Sequence, residues 1–425
     1  MTAPDVQRAI DAVWRIESAR LVAGLARIVR DVGLAEELAQ DALVAALEQW
    51  PESGVPENPG AWLMAAAKHR ALDAVRRGQR LEQKHAELAR ALAERQAEPD
   101  DPGAALDDDF GDDLLRLVFT ACHPVLAPEA RVALTLRLLG GLTTDEIARA
   151  FLVPEATIAQ RIVRAKRSLA EARVPFEVPR GPELGARLAS VLEVVYLVFN
   201  EGYSATAGDD WVRPGLCEDA LRLARSLAAR LPEPPEVHGL LALLELQASR
   251  LRARVGPAGE PVLLLDQDRG RWDRLLIQRG FAALERALER GGERNPYVLQ
   301  AAIAACHARA PTAAETDWPT IVALYAVLGR VAPSPVVELN RAVAVAMASG
   351  PAAGLALLEP LTAEPSLAGY HLLPSVRGDL LVKLGRLAEA RLELERAAAL
   401  TRNARERELL LARARACGES APPPG

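Results

Sequence analysis

The chain has 425 residues, half of them apolar, a quarter charged and 4% aromatic, and its formal net charge is −6. This length holds about two to four separate cores, and the acidic balance excludes a general polyanion binder, so any nucleic-acid contact must come from local basic faces. No apolar run reaches the ~20 residues of a membrane span. The opening MTAPDVQRAIDAVWRI lacks the basic-then-apolar order of a signal peptide, and four widely spaced cysteines fit reduced thiols in a cytoplasmic protein.

Ala, Leu, Arg and Glu dominate, which predicts an all-α fold, because these side chains lose little rotamer freedom in a helix. Residues 5–77 read as helix, interrupted by the Pro- and Gly-rich segment 50–60. In the helix from Leu34 to Trp50, the residues Leu34, Leu38, Ala42 and Ala45 form the expected core stripe. Glu37, Asp41 and Glu48 gather on another face. Like charges one turn apart cost a few tenths of a kcal/mol, a cost that a basic partner surface would offset. The next helix, 61–77, carries Trp62, His69, Asp73, Arg76 and Arg77 on one side and Ala61, Ala65, Leu72 and Val75 on the other. An aromatic ring beside cations suits unstacked single-stranded bases and their phosphates.

Residues 79–112 turn acidic, with EPDDP at 98–102 and DDDFGDD at 107–113, and read as a linker. A second helical unit follows over 113–172. Its stretch 140–167, GGLTTDEIARAFLVPEATIAQRIVRAKR, has the form of a helix-turn-helix. Thr143 and Glu146 make a capping box for the first helix, with Ile147, Ala148 and Phe151 inward, and Pro154 opens the second. At about 100° per residue, Ile158, Ile162, Ala165 and Leu169 share one side of that second helix. Gln160, Arg164 and Arg167 lie opposite, flanked by Thr157 and Arg161. An amide suits adenine, and guanidinium groups suit guanine or phosphate.

Residues 173–186 are a Pro-rich linker, and 187–418 a series of amphipathic helices with Pro and Gly breaks. Gly378, Gly385, Ala390 and Ala397 fall where a tetratricopeptide hairpin places its small residues. A helical-hairpin solenoid is the reading for this part, with a globular helical bundle as its alternative. The aromatic run Tyr196, Phe199, Tyr203 and Trp211 is taken as internal core. The polar cluster DQDRGRW at 266–272 reads as a helix cap rather than a ligand groove. No enzyme is expected: Cys122-His123 and Cys306-His307 lack a second ligand pair at metal spacing, and no phosphate loop or hydrolase motif occurs. No metal and no cofactor is expected.

These motifs resemble those of the extracytoplasmic-function (group 4) sigma factors of the bacterial sigma-70 class. Residues 31–41, DVGLAEELAQD, are similar to region 2.2; residues 61–77, AWLMAAAKHRALDAVRR, to regions 2.3 and 2.4; and residues 114–170 to region 4. The long helical tail with FNEGY at 199–203 resembles the subgroup that carries a C-terminal tetratricopeptide-like extension. The resemblance implies that 1–78 docks on the β′ clamp helices of RNA polymerase core through Glu37, Asp41 and Glu48. It further implies that Trp62, His69, Asp73, Arg76 and Arg77 melt and read the −10 element. The helix bearing Thr157, Gln160, Arg161, Arg164 and Arg167 would then read the −35 element, held at the β flap. His69 stands where the family often has Asn, and Leu152 where it often has Gly. The extension is expected to tune activity through an unidentified regulator, and the rival reading is a one-component helix-turn-helix regulator with a solenoid sensor domain.

Overall fold

The computed structural model describes residues 3–90, 110–151 and 153–419. The fold is all-α: eighteen α-helices, with only a two-residue strand pair among the described residues. Two compact units are present, one of residues 1–149 and 153–194, the other of residues 150–152 and 195–425. The acidic sequence at 98–109 lies outside the described residues.

The first unit begins with α1 (Ala3–Val29), α2 (Val32–Ser53) and α3 (Pro59–Arg90), which pack on one another. Asp31 caps α2 by accepting from Leu34 N at 2.9 Å, and α2 ends at Gly54, whose φ of +82° only glycine adopts without strain. Asn58 then accepts from Ala61 N at 3.1 Å and starts α3. The core here is built from Leu21, Leu25, Ala35, Leu38, Ala42, Trp50, Leu63, Ala67 and Ala71. The buried stripe of α3 is therefore Leu63, Ala67 and Ala71, whereas Ala61 and Ala65 are exposed and Leu72 and Val75 half-buried. The expected stripe was rotated because Trp62, read as outward, turns its ring toward Trp50, with centroids 5.3 Å apart.

The unit continues through α4 (Phe110–Ala121), α5 (Pro128–Leu138), α6 (Thr144–Phe151), α7 (Glu155–Glu171) and the first part of α8 (Pro182–Tyr203). Asp113 of α4 is fully buried and is held by Arg27 of α1 at 3.1 Å and by Arg116 at 2.6 Å. The start of α8 is bonded to the helices before it. Ser190 Oγ donates to Cys122 O at 2.6 Å, Arg187 donates to Phe119 O at 3.0 Å, and Arg131 pairs with Glu193 at 3.0 Å. Burial pushes the Cys122 thiol up to about 11, which makes it a poor nucleophile.

In the second unit the rest of α8 is followed by α9 (Pro214–Arg230), α10 (Pro235–Ala248), α11 (Arg274–Glu289), α12 (Pro296–Arg309), α13 (Trp318–Val331) and α14 (Pro335–Ser349). After these come α15 (Pro351–Leu358), α16 (Leu372–Lys383), α17 (Leu387–Leu400) and α18 (Ala404–Glu419). From α9 onward each helix packs on the next, as in an array of hairpins. Tyr196 meets Tyr297 at 5.7 Å, and Phe199 stacks on Tyr203, so these aromatics are internal to this unit. Gly378 is required by close approach, since an added Cβ would sit 2.8 Å from Leu394 Cγ, and Gly385 makes the turn with φ +72°.

The ends of this array are tied together. Strand β1 (Ala207–Gly208) pairs in parallel with β2 (Arg402–Asn403), Ala207 opposite Arg402. Asn403 is fully buried; its Nδ2 donates to Asp210 O at 2.7 Å and Ala205 O at 3.1 Å, and its Oδ1 accepts from Glu406 N at 3.1 Å to cap α18. Removing that side chain strands the buried Ala205 carbonyl, frees the Asp210 carbonyl and removes a helix cap. Asn403→Ala should therefore cost about 2–3 kcal/mol in urea unfolding followed by circular dichroism. Wild-type stability in that variant would contradict the assigned bonds.

Candidate nucleic-acid interface

The helix-turn-helix is built by local bonding. Thr143 N donates to Glu146 Oε2 at 2.8 Å, and Glu146 N donates to Thr143 Oγ1 at 3.1 Å, which completes the capping box of α6. The buried side of α7 is Ile158, Ile162, Ala165 and Leu169, the four residues expected from periodicity. Gln160, Arg164 and Arg167 are exposed, and Thr157 and Arg161 are half-buried at the rim. Leu152, in the turn, lies outside the described residues. Arg167 Nε donates to Glu171 at 2.6 Å; both side chains are largely exposed, so a phosphate or base edge competes with a screened pair. Val163, 63% exposed, stands on the same side. It supplies an apolar contact of the kind a thymine methyl accepts, and the same helical angle that placed Gln160 would have found it.

On α3, His69, Asp73 and Arg76 are exposed, with Arg76 and Asp73 3.7 Å apart. Trp62 is half-buried against Trp50 and presents only part of its ring. The side chain of Arg77 lies outside the described residues. The structure thus gathers His69, Asp73 and Arg76 on one exposed stretch and sets Trp62 at the edge of the core.

On α2, Glu37, Asp41 and Glu48 are all exposed. Asp41 pairs with Arg70 of α3 at 3.1 Å, with more than half of each side chain accessible, a contact worth less than about 1 kcal/mol. The acidic row is therefore open to a basic partner at little cost.

The residue next to that row behaves differently. Glu36 is 4% exposed. Its carboxylate accepts from Arg137 Nε of α5 at 2.6 Å and from Gln40 at 2.7 Å, and it pairs with Lys166 of α7. One buried charge thereby joins α2 to the helix-turn-helix. Glu36 escapes the sequence pattern because its neighbour Glu37 carries the acidic row; the signal available was its spacing of one turn from Val32 and Ala39, both buried on the inner side of α2. A buried carboxylate with two cations and an amide is satisfied; the same cations without it are not. Glu36→Ala should cost about 2 kcal/mol in denaturant unfolding, the loss being moderated because Arg137 and Lys166 are each about a fifth exposed. Glu36→Gln, which keeps the shape and a hydrogen-bonding oxygen but removes the charge, should lose most of the same stability, and wild-type stability in that variant would contradict an ionic role.

Comparison with known proteins places these features. The model for sigma-70 region 2 matches residues 16–81, that for sigma-70 region 4 matches residues 116–169, and a family of unknown function (DUF6596) matches residues 187–288. The chain is 46% identical over 387 residues to an uncharacterized protein of Rhizobium meliloti (strain 1021), covering 90% of this chain and 89% of that one. It is 28% identical over 181 residues to the probable ECF RNA polymerase sigma factor SigI of Mycobacterium tuberculosis, covering 40% of this chain and 57% of that protein. No solved structure matches. No helix among the described residues is long and apolar enough to cross a membrane. The chain belongs to the family of the Rhizobium protein and carries, in order, sigma-70 region 2, sigma-70 region 4 and a DUF6596 domain.

Proposed function

We propose that this chain is a sigma factor of the extracytoplasmic-function type, acting in the cytoplasm as a non-enzymatic subunit that directs RNA polymerase core to promoters. The observation that carries this reading is the pairing of two surfaces in one chain. An exposed acidic row, Glu37, Asp41 and Glu48, sits on the sigma region 2 helix α2, and an exposed Gln160, Arg164 and Arg167 face sits on the region 4 helix α7. The acidic row docks on a basic surface of the polymerase clamp. Trp62, His69, Asp73, Arg76 and Arg77 open and read the −10 element. Thr157, Gln160, Arg161, Arg164 and Arg167 read the −35 element in the major groove. A duplex-binding regulator would need α7 but not the acidic row. The C-terminal unit, with its tetratricopeptide-like hairpins, tunes this activity.

The Glu36 contacts add a step. Two elements named for positions about 25 base pairs apart are separated by on the order of 80 Å of duplex. A helix-turn-helix tied to α2 through Glu36 cannot reach across that span, so Arg137 and Lys166 release Glu36 when polymerase and promoter are engaged.

In vitro transcription with purified core polymerase and a pool of candidate promoters tests the reading. The full chain should give promoter-specific transcripts that are absent without it. Arg164→Ala should reduce them about tenfold or more, the loss of one guanidinium base contact, while binding to core is retained. Asp41→Arg should weaken core binding and leave the fold intact. Duplex binding without any initiation would replace this reading with that of a one-component regulator.

A further inference from the structure

The C-terminal unit contains a group of arginines that its own residues do not neutralise. Arg250 and Arg269 are buried, at 9% and 7% exposure, and among the described residues neither has a carboxylate at ion-pair distance. Arg250 donates to Tyr203 Oη at 2.6 Å and to Gln247; Arg269 donates to His307 O at 2.6 Å, Ala310 O at 2.7 Å and Thr316 Oγ1 at 3.0 Å. Burial lowers the pKa of both, and their positive field, added to burial, takes His307 down to about 3. The guanidinium groups alternate with aromatic rings. Arg254 lies 3.8 Å from the Tyr203 centroid and 5.3 Å from that of Trp211, while Arg250 and Arg269 lie 5.6 and 4.9 Å from that of Trp272.

Buried polar atoms without partners collect in the same place. Trp272 Nε1, Trp211 Nε1, Arg269 Nε and Arg254 Nε are donors with no acceptor. Buried polar groups are rarely left so; Gln267 Oε1 is a buried acceptor without a partner in the same segment, and the other four atoms are donors beside cations lacking counter-charge. Trp272, 3% exposed, forms part of the wall of an open cleft of 800 Å³. Arg252, Arg271 and Arg274, all exposed, line that cleft with Val255 and Leu275. Asp273 also lines it, but its carboxylate is engaged by Leu275 N at 2.9 Å and Leu276 N at 3.1 Å as the cap of α11. The segment 266–272, read from sequence as a cap, therefore has a second face. Asp268 and Asp273 do cap, while Arg271 and Trp272 line a concave surface and Arg269 lies buried behind them against the Trp272 ring.

We propose that this cleft binds a small oxyanion-bearing molecule, phosphorylated or carboxylated, through Arg252, Arg271 and Arg274, with its apolar part against Val255 and Leu275. An acceptor-rich anion supplies what the site lacks, and guanidinium forks suit both carboxylate and phosphate. A cleft of this size with an apolar wall and a few convergent donors is within the range of metabolite sites. The assignment stands independently of the sigma reading.

Isothermal titration of the full chain at constant ionic strength with inorganic phosphate, adenosine 5′-monophosphate and citrate tests it. Saturable binding of at least one of them at about millimolar concentration or below is expected, with phosphate-bearing probes or citrate identifying the source of the oxyanion. In Arg271→Ala/Arg274→Ala, whose side chains are exposed and so dispensable for folding, affinity should fall about tenfold or more. Arg252→Ala, which removes the third exposed cation of the cleft, should weaken binding several-fold by itself. Absence of saturable binding to all three probes overturns the proposal, and so does binding that both variants leave unchanged.

Discussion

A carboxylate can be taken out of water only if cations and donors replace the water it loses. Glu36 meets that condition by drawing partners from three segments, Gln40 on its own helix, Arg137 on α5 and Lys166 on α7. Asp113 meets it in the same unit with Arg27 and Arg116. Alongside the packing of α1 on α4, these charges link the region 2 helices to the region 4 helices. A contact of this kind has a definite composition and definite geometry, so it can exchange one set of partners for another without disturbing the cores on either side. That property suits the release of Glu36 proposed above.

The second unit has paired carboxylates of its own, Glu201 with Arg213 and Glu245 with Arg225, but one cluster in it handles buried charge in the opposite way. There the guanidinium groups of Arg250, Arg254 and Arg269 are stacked between rings and bonded to neutral oxygens, and no acid comes with them. Stacking on an aromatic face lowers the cost of holding a guanidinium out of water but does not cancel its charge. This cluster therefore presents excess positive field close to an open cleft.

Much of this was legible in the sequence. The all-α composition, the capping box at Thr143 and Glu146, and the inward set Ile158, Ile162, Ala165 and Leu169 follow from local rules that act within one or two turns. The faces of α3 were not, because Trp62 has a large apolar ring that packs on Trp50, and a helical wheel cannot weigh ring size against the position of a neighbouring helix. Glu36, Ser190 and Arg269 were missed for a related reason. Each is a polar residue made internal by a partner at least 38 positions away along the chain, and short-range periodicity carries no information at that separation. The closing pair of strands, two residues each, is below the length at which any strand pattern exists.

That closing pair changes the physical character of the hairpin array. In an open array each unit is stabilised only by its neighbours, the ends fray first, and repeats can be gained or lost at the margin over evolutionary time. Joining Ala207 and Gly208 to Arg402 and Asn403 removes the free margin. Loosening spreads to either end only after the joint opens, so the helices between Tyr203 and Ala404 share one fate instead of failing in succession. The number of hairpins is fixed by the same joint, since an added or deleted pair of helices would shift Asn403 away from Ala205 and Asp210.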